Sequence, residues 1–312
     1  MNDAVRKKEP AGSTGVEHIC VCICAYKRPH LLARLLEALK AQETDGLFTY
    51  SIVVVDNDHR RSAEAAVSAF SAAAPVPVRY DVEPHQNISL ARNRSVEDAE
   101  GDYVAFIDDD EFPDKYWLLT LLNVCKTYGV DGVLGPVKRH FDARPPEWIL
   151  KGDFFERPVH ATGERLKPHD GRTSNALVKM TLVQNGEQPF RPQFRGGEDK
   201  DFFMRVIEKG RSFVWSSDAV VYEVVPPSRW RRKYMLRRAL QRGSVTLMQP
   251  GFGARAVMLS IIAVPAYLAV LPFALASGQH RFMTVMIRLC NHLGKLLALL
   301  RIHPIKEHYV ME

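Results

Sequence analysis

Apolar and polar segments alternate along the first half of the chain at the spacing of strands and helices. The apolar run at 18–26 (HICVCICAY) is continuous and rich in β-branched residues and cysteine, which predicts a strand buried on both faces of a sheet. Five leucines follow at helical spacing within 28–42, with Pro29 near the predicted helix start. The same alternation predicts further strands at 50–55, 76–82, 102–107 and 131–137, and helices over about 62–73 and from about Ser89 and Asp114.

This strand–helix alternation favours an α/β fold with a mostly parallel sheet. In such sheets, ligands bind beyond the carboxyl ends of the strands. Three predicted strands are followed there by polar segments, namely YKR at 26–28, DND at 56–58 and DDD at 108–110. We expect all three segments to face one crevice. No G-x-G-x-x-G follows the first strand, which disfavours a dinucleotide site.

Cysteine usage favours a reducing compartment. Three of the five cysteines (Cys20, Cys22 and Cys24) alternate along the first strand, so they share one face and lie too close together for ordinary disulfides. We expect reduced, buried thiols in a cytosolic setting. Residues 1–16 contain no apolar run, and we expect a flexible tail there rather than a signal peptide.

The acidic run at 108–111 follows an apolar strand directly. Adjacent carboxylates repel one another unless a cation lies among them. Mg²⁺ and Mn²⁺ prefer such oxygens and also bind phosphates, so a D-x-D at a strand end predicts a metal site that clamps a diphosphate. The alternative is a solvated acidic turn before a helix near Asp114. A phosphatase of the haloacid dehalogenase type would need D-x-D-x-T, and position 112 is Phe.

The chain resembles family 2 glycosyltransferases of the GT-A fold, and within them the ExoM-type enzymes of bacterial exopolysaccharide (succinoglycan) assembly. The resemblance covers about 18–245 and rests on five motifs in order: CAYKRPHLL, VVVDND, NISLARNRSVEDAEGDYVAFIDDDE, TSNALV and GGEDKDF. It implies a Rossmann-like GT-A catalytic domain. The implied reaction is inverting transfer of a hexose from a nucleotide-diphosphate sugar, expected to be a UDP-sugar, with Mg²⁺ or Mn²⁺ as cofactor.

The resemblance also assigns the donor side of the site. Asp56 matches the position that binds the nucleotide base, flanked by Tyr26 and Arg28. Arg92 matches a residue near the nucleotide and could pair with phosphate. Its alternative role is that of a surface helix arginine, and that of Asp56 is a strand-end turn residue.

Within the D-x-D, Asp110 is the expected direct metal ligand. Asp108 is expected nearer the ribose and also at the metal, and Asp109 is expected to turn outward. We expect that removing one of these carboxylates relieves repulsion and leaves the fold largely intact.

Inversion needs a carboxylate that takes the proton of the attacking acceptor hydroxyl. GGEDKD supplies Glu198, Asp199 and Asp201, and the resemblance points to Asp199 as the base, with Glu198 beside it. The two glycines before them would allow a close approach of backbone to sugar. The alternative is that Asp199 or Asp201 merely caps the following helix.

On the acceptor side the resemblance places Asn175, with Arg229 and Trp230 provisionally over the diphosphate. Residues 138–195 are rich in proline, arginine and aromatics and are expected to form a binding surface or lid. The aromatic residues within 148–155 either stack on an acceptor sugar or pack in a core.

The last part of the chain changes character. Residues 229–242 carry seven Lys or Arg and no acid, and residues 256–278 carry no charge. Pro265 and Pro272 would break a straight helix, which favours a kinked, re-entrant insertion over a single span. Three further bases fall seven residues apart on one stripe: Arg281, Arg288 and Lys295. This pattern predicts peripheral or re-entrant attachment to lipid at the cytoplasmic face of the bacterial inner membrane, and it favours anionic lipid over nucleic acid as the basic run's partner.

These observations predict three parts. Residues 1–16 form the tail, 17–228 the catalytic domain (a nucleotide-sugar half at 17–137 and an acceptor half at 138–228), and 229–312 the membrane-associating helices. The expected acceptor is a polyprenyl-diphosphate-linked saccharide. Two alternatives stay open: transfer directly to a polyprenyl phosphate, and a catalytically inactive membrane-bound assembly subunit.

Overall fold

The computed structural model describes residues 15–194, 196–246 and 254–302, so nearly all of the predicted tail lies outside the described residues. The strands are β1 (Glu17–Ala25), β2 (Phe48–Asp56), β3 (Val78–Val82), β4 (Tyr103–Asp108), β5 (Glu111–Pro113), β6 (Gly132–Leu134), β7 (Val137–His140), β8 (Ala176–Lys179), β9 (Phe213–Trp215) and β10 (Val221–Val224). The helices are α1 (Pro29–Lys40), α2 (Glu64–Ser71), α3 (Ile88–Glu97), α4 (Trp117–Tyr128), α5 (Glu147–Gly152), α6 (Met180–Val183), α7 (Glu198–Glu208), α8 (Arg232–Thr246), α9 (Ala254–Ala276) and α10 (Gln279–Leu299). Short 3₁₀ turns lie at Pro168–Asp170 and Pro227–Trp230.

The main sheet has seven strands in the order β3-β2-β1-β4-β8-β6-β9. Every pairing in it is parallel except the two made by β8. The prediction of an α/β fold with a mostly parallel sheet is therefore confirmed. Strands β8 and β9 come from the predicted acceptor half of the chain, so that half completes the sheet that the first half begins.

The alternation of side chains along β1 divides the core into two layers. Ile19, Val21 and Ile23 face the leucines of α1 and the apolar sides of α2 and α4. Cys20 and Cys22 face the opposite way, toward α3 and α7. All five cysteines are free thiols, as expected from their spacing. The sheet is thus covered on both faces, which is why its central strands read as continuous apolar runs.

The predicted strand at 131–137 is wrong as a single element. It divides at Gly135–Pro136 into β6, which belongs to the main sheet, and β7, which belongs to a second sheet of order β5-β10-β7. Proline lacks the backbone donor that a continuing ladder needs. The second sheet pairs Glu223 with Glu111, the last residue of the acidic run.

The predicted break at Pro265 and Pro272 is also wrong, because α9 continues through both prolines. The chain reverses instead at Ser277 and Gly278, and α10 returns along α9. Helix α10 also packs closely along α8, where Gly243 and Gly294 meet backbone atoms of the other helix. By length and composition alone, α9 and α10 could each cross a membrane.

Candidate active site

The polar segments after β1, β2 and β4 lie together at the carboxyl edge of the sheet. Ala25 pairs with Asp56, and Cys24 pairs with Asp108. The last residues of three adjacent parallel strands are therefore level with one another, and the segments that follow them share one crevice, as expected.

Two arginines hold the acidic run together. The guanidinium of Arg28 contacts Asp109 and Asp110, each at 2.5 Å, and Arg229 Nη2 donates to Asp110 at 2.8 Å. The backbone N–H of Tyr26 donates to Asp109 Oδ2 at 2.9 Å. The expectation that Asp109 turns outward is wrong, because its side chain is buried and supplies the counter-charge to Arg28. Arg28 and Tyr26, predicted to flank the nucleotide, here organise the carboxylates.

These contacts act differently on the two acids. Burial raises the pKa of Asp109 to about 7, although Arg28 opposes that change. Burial also favours the neutral form of Asp110, but the guanidinium groups of Arg28 and Arg229 outweigh it and leave the pKa of Asp110 below its usual value. Asp110 is therefore ionised at neutral pH. The expected relief of repulsion on removing it is wrong, since its charge compensates two arginines.

Two acids that sequence reasoning left unassigned extend this cluster. Glu111 is buried, and its Oε2 accepts from the backbone N–H of Asp108 at 3.1 Å. Glu223 lies opposite it on β10 and pairs with Arg229 at 2.9 Å and with Arg157. A charged residue inside the strand VYEV was the signal for Glu223. Arg157 lay in the irregular segment and carried no comparable signal.

Arg92 links the acidic run to the start of α7. Its side chain is buried and pairs with Asp108 Oδ1 at 3.2 Å and with Glu198. Burial raises the pKa of Glu198 to about 7, against the opposing charge of Arg92. Within the described residues, Glu198 Oε2 has no hydrogen-bond partner. Arg92 was expected to pair with phosphate, and it instead joins two protein carboxylates.

Asp199 is the acid in the first turn of α7 that is neither buried nor, among the described residues, paired with an arginine. Gly197 has φ +83°, a left-handed conformation that favours glycine, and α7 begins at Glu198 with no side-chain cap. Asp199 is half-buried, and its Oδ1 accepts a local hydrogen bond from the backbone N–H of Lys200 at 2.8 Å. Asp201 is buried and paired with Arg205 at 2.9 Å. Asp201 therefore supports the fold, which leaves Asp199 as the candidate base.

Asp56 lies deeper than a ligand-contacting residue would. It is fully buried, and its oxygens accept from the backbone N–H groups of Asp58 at 3.0 Å and Ala63 at 2.6 Å and from the Tyr80 hydroxyl at 3.2 Å. The side chain shapes the 57–63 loop that follows β2. Direct contact with a base, as expected from sequence, does not follow from this geometry.

Asn175 does not reach the crevice. It is fully buried, and its amide donates to the carbonyls of Pro136 at 2.8 Å and Ala219 at 2.7 Å, while Trp117 Nε1 donates to its oxygen at 2.8 Å. A Cβ on Gly135 would lie 2.6 Å from its amide nitrogen, so the packing there is tight. The expected contact with the acceptor is not met, because these hydrogen bonds hold β6, β8 and the chain before β10 together.

The aromatic residues of the acceptor region pack rather than line the crevice. Trp230 meets Phe141 at a ring distance of 5.9 Å, and Trp148 meets Phe154 at 5.6 Å. They surround a buried group that includes Ile149 and residues of α8 and α10. Of the two interpretations of 148–155, core packing is the one supported, and Trp230 belongs to the same cluster. The cluster packs α5 and its neighbouring segments against α8 and α10.

The acidic run suits a divalent cation in composition, although no three acidic, cysteine or histidine side chains within the described ranges converge as a metal cage. Mg²⁺ usually takes one or two carboxylates and completes its shell with water and substrate phosphate. Glu111 Oε1 and Glu198 Oε2 are buried without hydrogen-bond partners among the described residues. Glu111 contacts the backbone of Asp108, and Glu198 is joined to Asp108 through Arg92. Unpartnered carboxylate oxygens near a half-buried aspartate fit a cation, with Asp108 and Asp110 as the residues that would hold it.

Comparisons with known proteins agree with this fold. The family model described as glycosyl transferase family 2 matches residues 20–185. The chain is 33% identical over 306 residues to the succinoglycan biosynthesis protein ExoM of Rhizobium meliloti, covering 95% of this chain and 97% of that protein.

Solved structures show the same fold at low identity. The mannosyltransferase PcManGT from Pyrobaculum calidifontis, in complex with GDP-Man and Mn²⁺, superposes with a TM-score of 0.61 at 19% identity, covering 95% of this chain and 91% of that one. TarS 1-349 of S. aureus, in complex with UDP-GlcNAc, gives 0.53 at 14% identity, covering 92% and 93%. Since the family model spans more than half of the chain and ExoM matches nearly all of it, this protein belongs to glycosyl transferase family 2 and is a glycosyltransferase.

Proposed function

We propose that the chain transfers a hexose, with inversion, from a nucleoside diphosphate sugar to a lipid-linked saccharide in polysaccharide assembly. The observation that carries this proposal is the bridge made by Arg92. It ties Glu198, the residue before Asp199, to Asp108 of the acidic run. This bridge supports the proposal because it holds the candidate base and the candidate phosphate site close together, as a displacement at an anomeric carbon requires.

In this mechanism the acceptor oxygen attacks the anomeric carbon while Asp199 takes its proton. The bond between that carbon and the nucleoside diphosphate breaks, and the diphosphate leaves with the electron pair. A divalent cation held at Asp108 and Asp110 would supply charge stabilisation for the leaving diphosphate. Arg28 and Arg229 keep Asp110 ionised and fixed, and Arg92 holds α7 in register with β4.

Purified protein given a panel of UDP- and GDP-hexoses tests the proposal through acceptor-dependent release of nucleoside diphosphate. The solved neighbours bind UDP-GlcNAc in one case and GDP-Man in the other, so both nucleotides belong in the panel. We expect a UDP-sugar to be used. The similarity to a succinoglycan biosynthesis protein favours a saccharide acceptor over a bare polyprenyl phosphate. Release that polyprenyl phosphate stimulates and a lipid-linked saccharide does not would favour the alternative acceptor, and no release with any sugar would favour an inactive subunit.

Metal dependence is a prediction of the same site. We expect excess chelator to abolish transfer and Asp108→Asn to weaken Mn²⁺ binding, measured by the electron paramagnetic resonance signal of free Mn²⁺. Asp108→Asn should cost little stability, because that side chain is 39% exposed. Asp110→Asn should weaken binding as well but lower the free energy of unfolding by about 1.5–3 kcal/mol, since two arginines lose their charged acceptor. Full activity in excess chelator would contradict the metal role.

The C-terminal helices supply a membrane-facing surface. Along α9 the large apolar side chains are mostly exposed, among them Ile262 at 64% and Phe273 at 73%. These two are eleven residues apart, close to three full turns, so they share one face. Helix α10 packs along α8, which carries five Lys or Arg between 232 and 242. If α10 crossed a bilayer, α8 would bring those charges into hydrocarbon, which is costly. We therefore infer shallow attachment through α9, with the basic residues at the headgroups on the cytoplasmic face.

We expect Ile262→Ser with Phe273→Ser to weaken binding to anionic phospholipid vesicles by on the order of 10²-fold, from the lost burial of two large apolar side chains. Cosedimentation measures this directly. Leu47→Ser is the matched control, because Leu47 is 52% exposed on the catalytic domain, outside α9 and α10, and should not change binding. A tag after residue 301 should react from the cytoplasmic side, and access only from the far side would contradict shallow attachment.

A further inference from the structure

Arg172 is a half-buried arginine with no anionic partner among the described residues. Among the residues that the structure describes, no hydrogen bond or ion pair satisfies its guanidinium, which lies 5.9 Å from the ring centroid of Trp215. Burial and the neighbouring charge of Arg157 lower the pKa of Arg172. The buried arginines around the acidic run each pair with carboxylates. Arg172 differs from them because no such pair compensates its positive charge.

The register of the sheet locates this arginine. Ala176 of β8 pairs with Phe106 of β4 on one side and Leu134 of β6 on the other, and Leu134 also pairs with Trp215 of β9. The residues just before Ala176 therefore lie beside the end of β4, where the acidic run begins. Arg172 and Trp215 belong to the β8-β6-β9 half of the carboxyl edge, away from the β1-β2-β3 half that holds Asp56. The charge of Asp199 acts on Arg172, which places the candidate base within electrostatic reach.

Buried polar atoms without hydrogen-bond partners lie next to Arg172 in the chain and in the segment of Trp215, which Arg172 contacts. Thr173 Oγ1, Trp215 Nε1 and Ser216 Oγ are buried and have no hydrogen-bond partner within the described ranges. Buried polar groups in folded proteins nearly always have a partner, in the protein or in a ligand or water. A guanidinium, two hydroxyls and an indole N–H in one neighbourhood form a set of donors that an oxyanion would satisfy.

We propose that Arg172, with Thr173, Trp215 and Ser216, forms a subsite for an oxyanion of the acceptor. The proposal rests on the proposed function only in naming the acceptor as the carrier of that anion. Phosphate and carboxylate share the required chemistry, so the anion is either the diphosphate of a lipid carrier or a carboxylate on the acceptor sugar. Binding there would orient the acceptor hydroxyl toward Asp199.

Steady-state kinetics test the subsite. Arg172→Ala should raise the acceptor KM by about 10- to 100-fold, the loss expected for a charge-assisted hydrogen bond, and leave the donor KM unchanged. Arg172→Lys keeps the charge without the planar fork and should fall between wild type and Arg172→Ala. The control is Arg165→Ala, an exposed arginine of the same region, which should match wild type. An unchanged acceptor KM in Arg172→Ala, or an equal rise in both KM values, would overturn the proposal.

A binding measurement separates this subsite from the sugar-transfer reaction. Inorganic pyrophosphate is titrated calorimetrically without metal, so that the acidic run repels it. Wild type should bind it, and Arg172→Ala and Arg172→Lys should bind it at least about 10-fold more weakly than wild type does. Equal binding to wild type and both variants overturns the subsite even if transfer is confirmed. Lost binding in a protein that transfers no sugar leaves the subsite standing and overturns the function.

The source of the anion follows from a second acceptor. A saccharide with a neutral alkyl aglycone removes the carrier diphosphate. If the diphosphate is the ligand, wild type and Arg172→Ala should use this acceptor equally well. If a sugar carboxylate is the ligand, the difference in acceptor KM should persist.

Discussion

Replacing Asp199 by asparagine is expected to slow sugar transfer by about 10²- to 10⁴-fold, the usual contribution of a general base. The amide keeps the shape of the side chain but does not accept the acceptor's proton. Donor binding should be unchanged, because the base acts on the acceptor hydroxyl and, among the described residues, Asp199 forms no ion pair with the arginines that contact the acidic run. Single-turnover rates with a saturating donor measure the loss, and calorimetry with the nucleoside diphosphate measures binding.

Glu198→Gln is the informative comparison. Glu198 is buried against Arg92, and its pKa of about 7 gives it the basicity that a general base could use. If Glu198→Gln were inactive and Asp199→Asn active, the base would be Glu198. We expect the opposite order, because Asp199 is half-buried with a local hydrogen bond, whereas Glu198 is buried and paired with Arg92. Unfolding curves of both variants would separate lost chemistry from lost structure.

The sequence predicted the part of the fold that repeats along the chain. Buried parallel strands appear in the sequence as continuous apolar runs. Parallel pairing then brings the polar segments after three of them to one edge of the sheet. The prediction of one strand at 131–137 was wrong because the apolar run continues across Gly135–Pro136, where the chain passes from one sheet to the other. The prolines of α9 failed as breaks because a helix tolerates them where one side lies open to a nonpolar phase or to neighbouring helices.

The sequence predicted which segments of the site come together, but it did not predict which side chains form ion pairs there. The motifs bring Asp108, Arg92 and Glu198 together, but nothing in their spacing says that Arg92 joins two carboxylates rather than a phosphate. Pairing depends on which side chains meet across elements far apart in the sequence. Arg172 was not predicted for the same reason. Its lack of an anionic partner among the described residues is evident only from the positions of its neighbours in the structure.

The bridge made by Arg92 leads to the second large effect. Arg92→Met is expected to lower the free energy of unfolding by about 3–5 kcal/mol, because it leaves Glu198 buried without its cation. Glu198 has a pKa raised from its ordinary value of 4.5 to about 7 in the folded protein, so stability is lost as pH rises from that ordinary value to about 7 and stays lost above it. The loss in Arg92→Met should therefore be larger at alkaline pH than at acidic pH. Chemical denaturation at both values measures it.

The double variant Arg92→Met with Glu198→Met tests whether the ion pair stabilises the fold or holds α7 in register with β4. Replacing both members of a buried ion pair by apolar residues is often close to neutral, so the double variant should recover to within about 1 kcal/mol of wild type. Asp108 would then lose its contact with Arg92 but remain partly solvated. Transfer should stay impaired, because nothing would hold the start of α7, and with it Asp199, against the end of β4. Recovery of both stability and transfer would show that the bridge has no role in positioning the base, whereas recovery of stability alone would assign it that role.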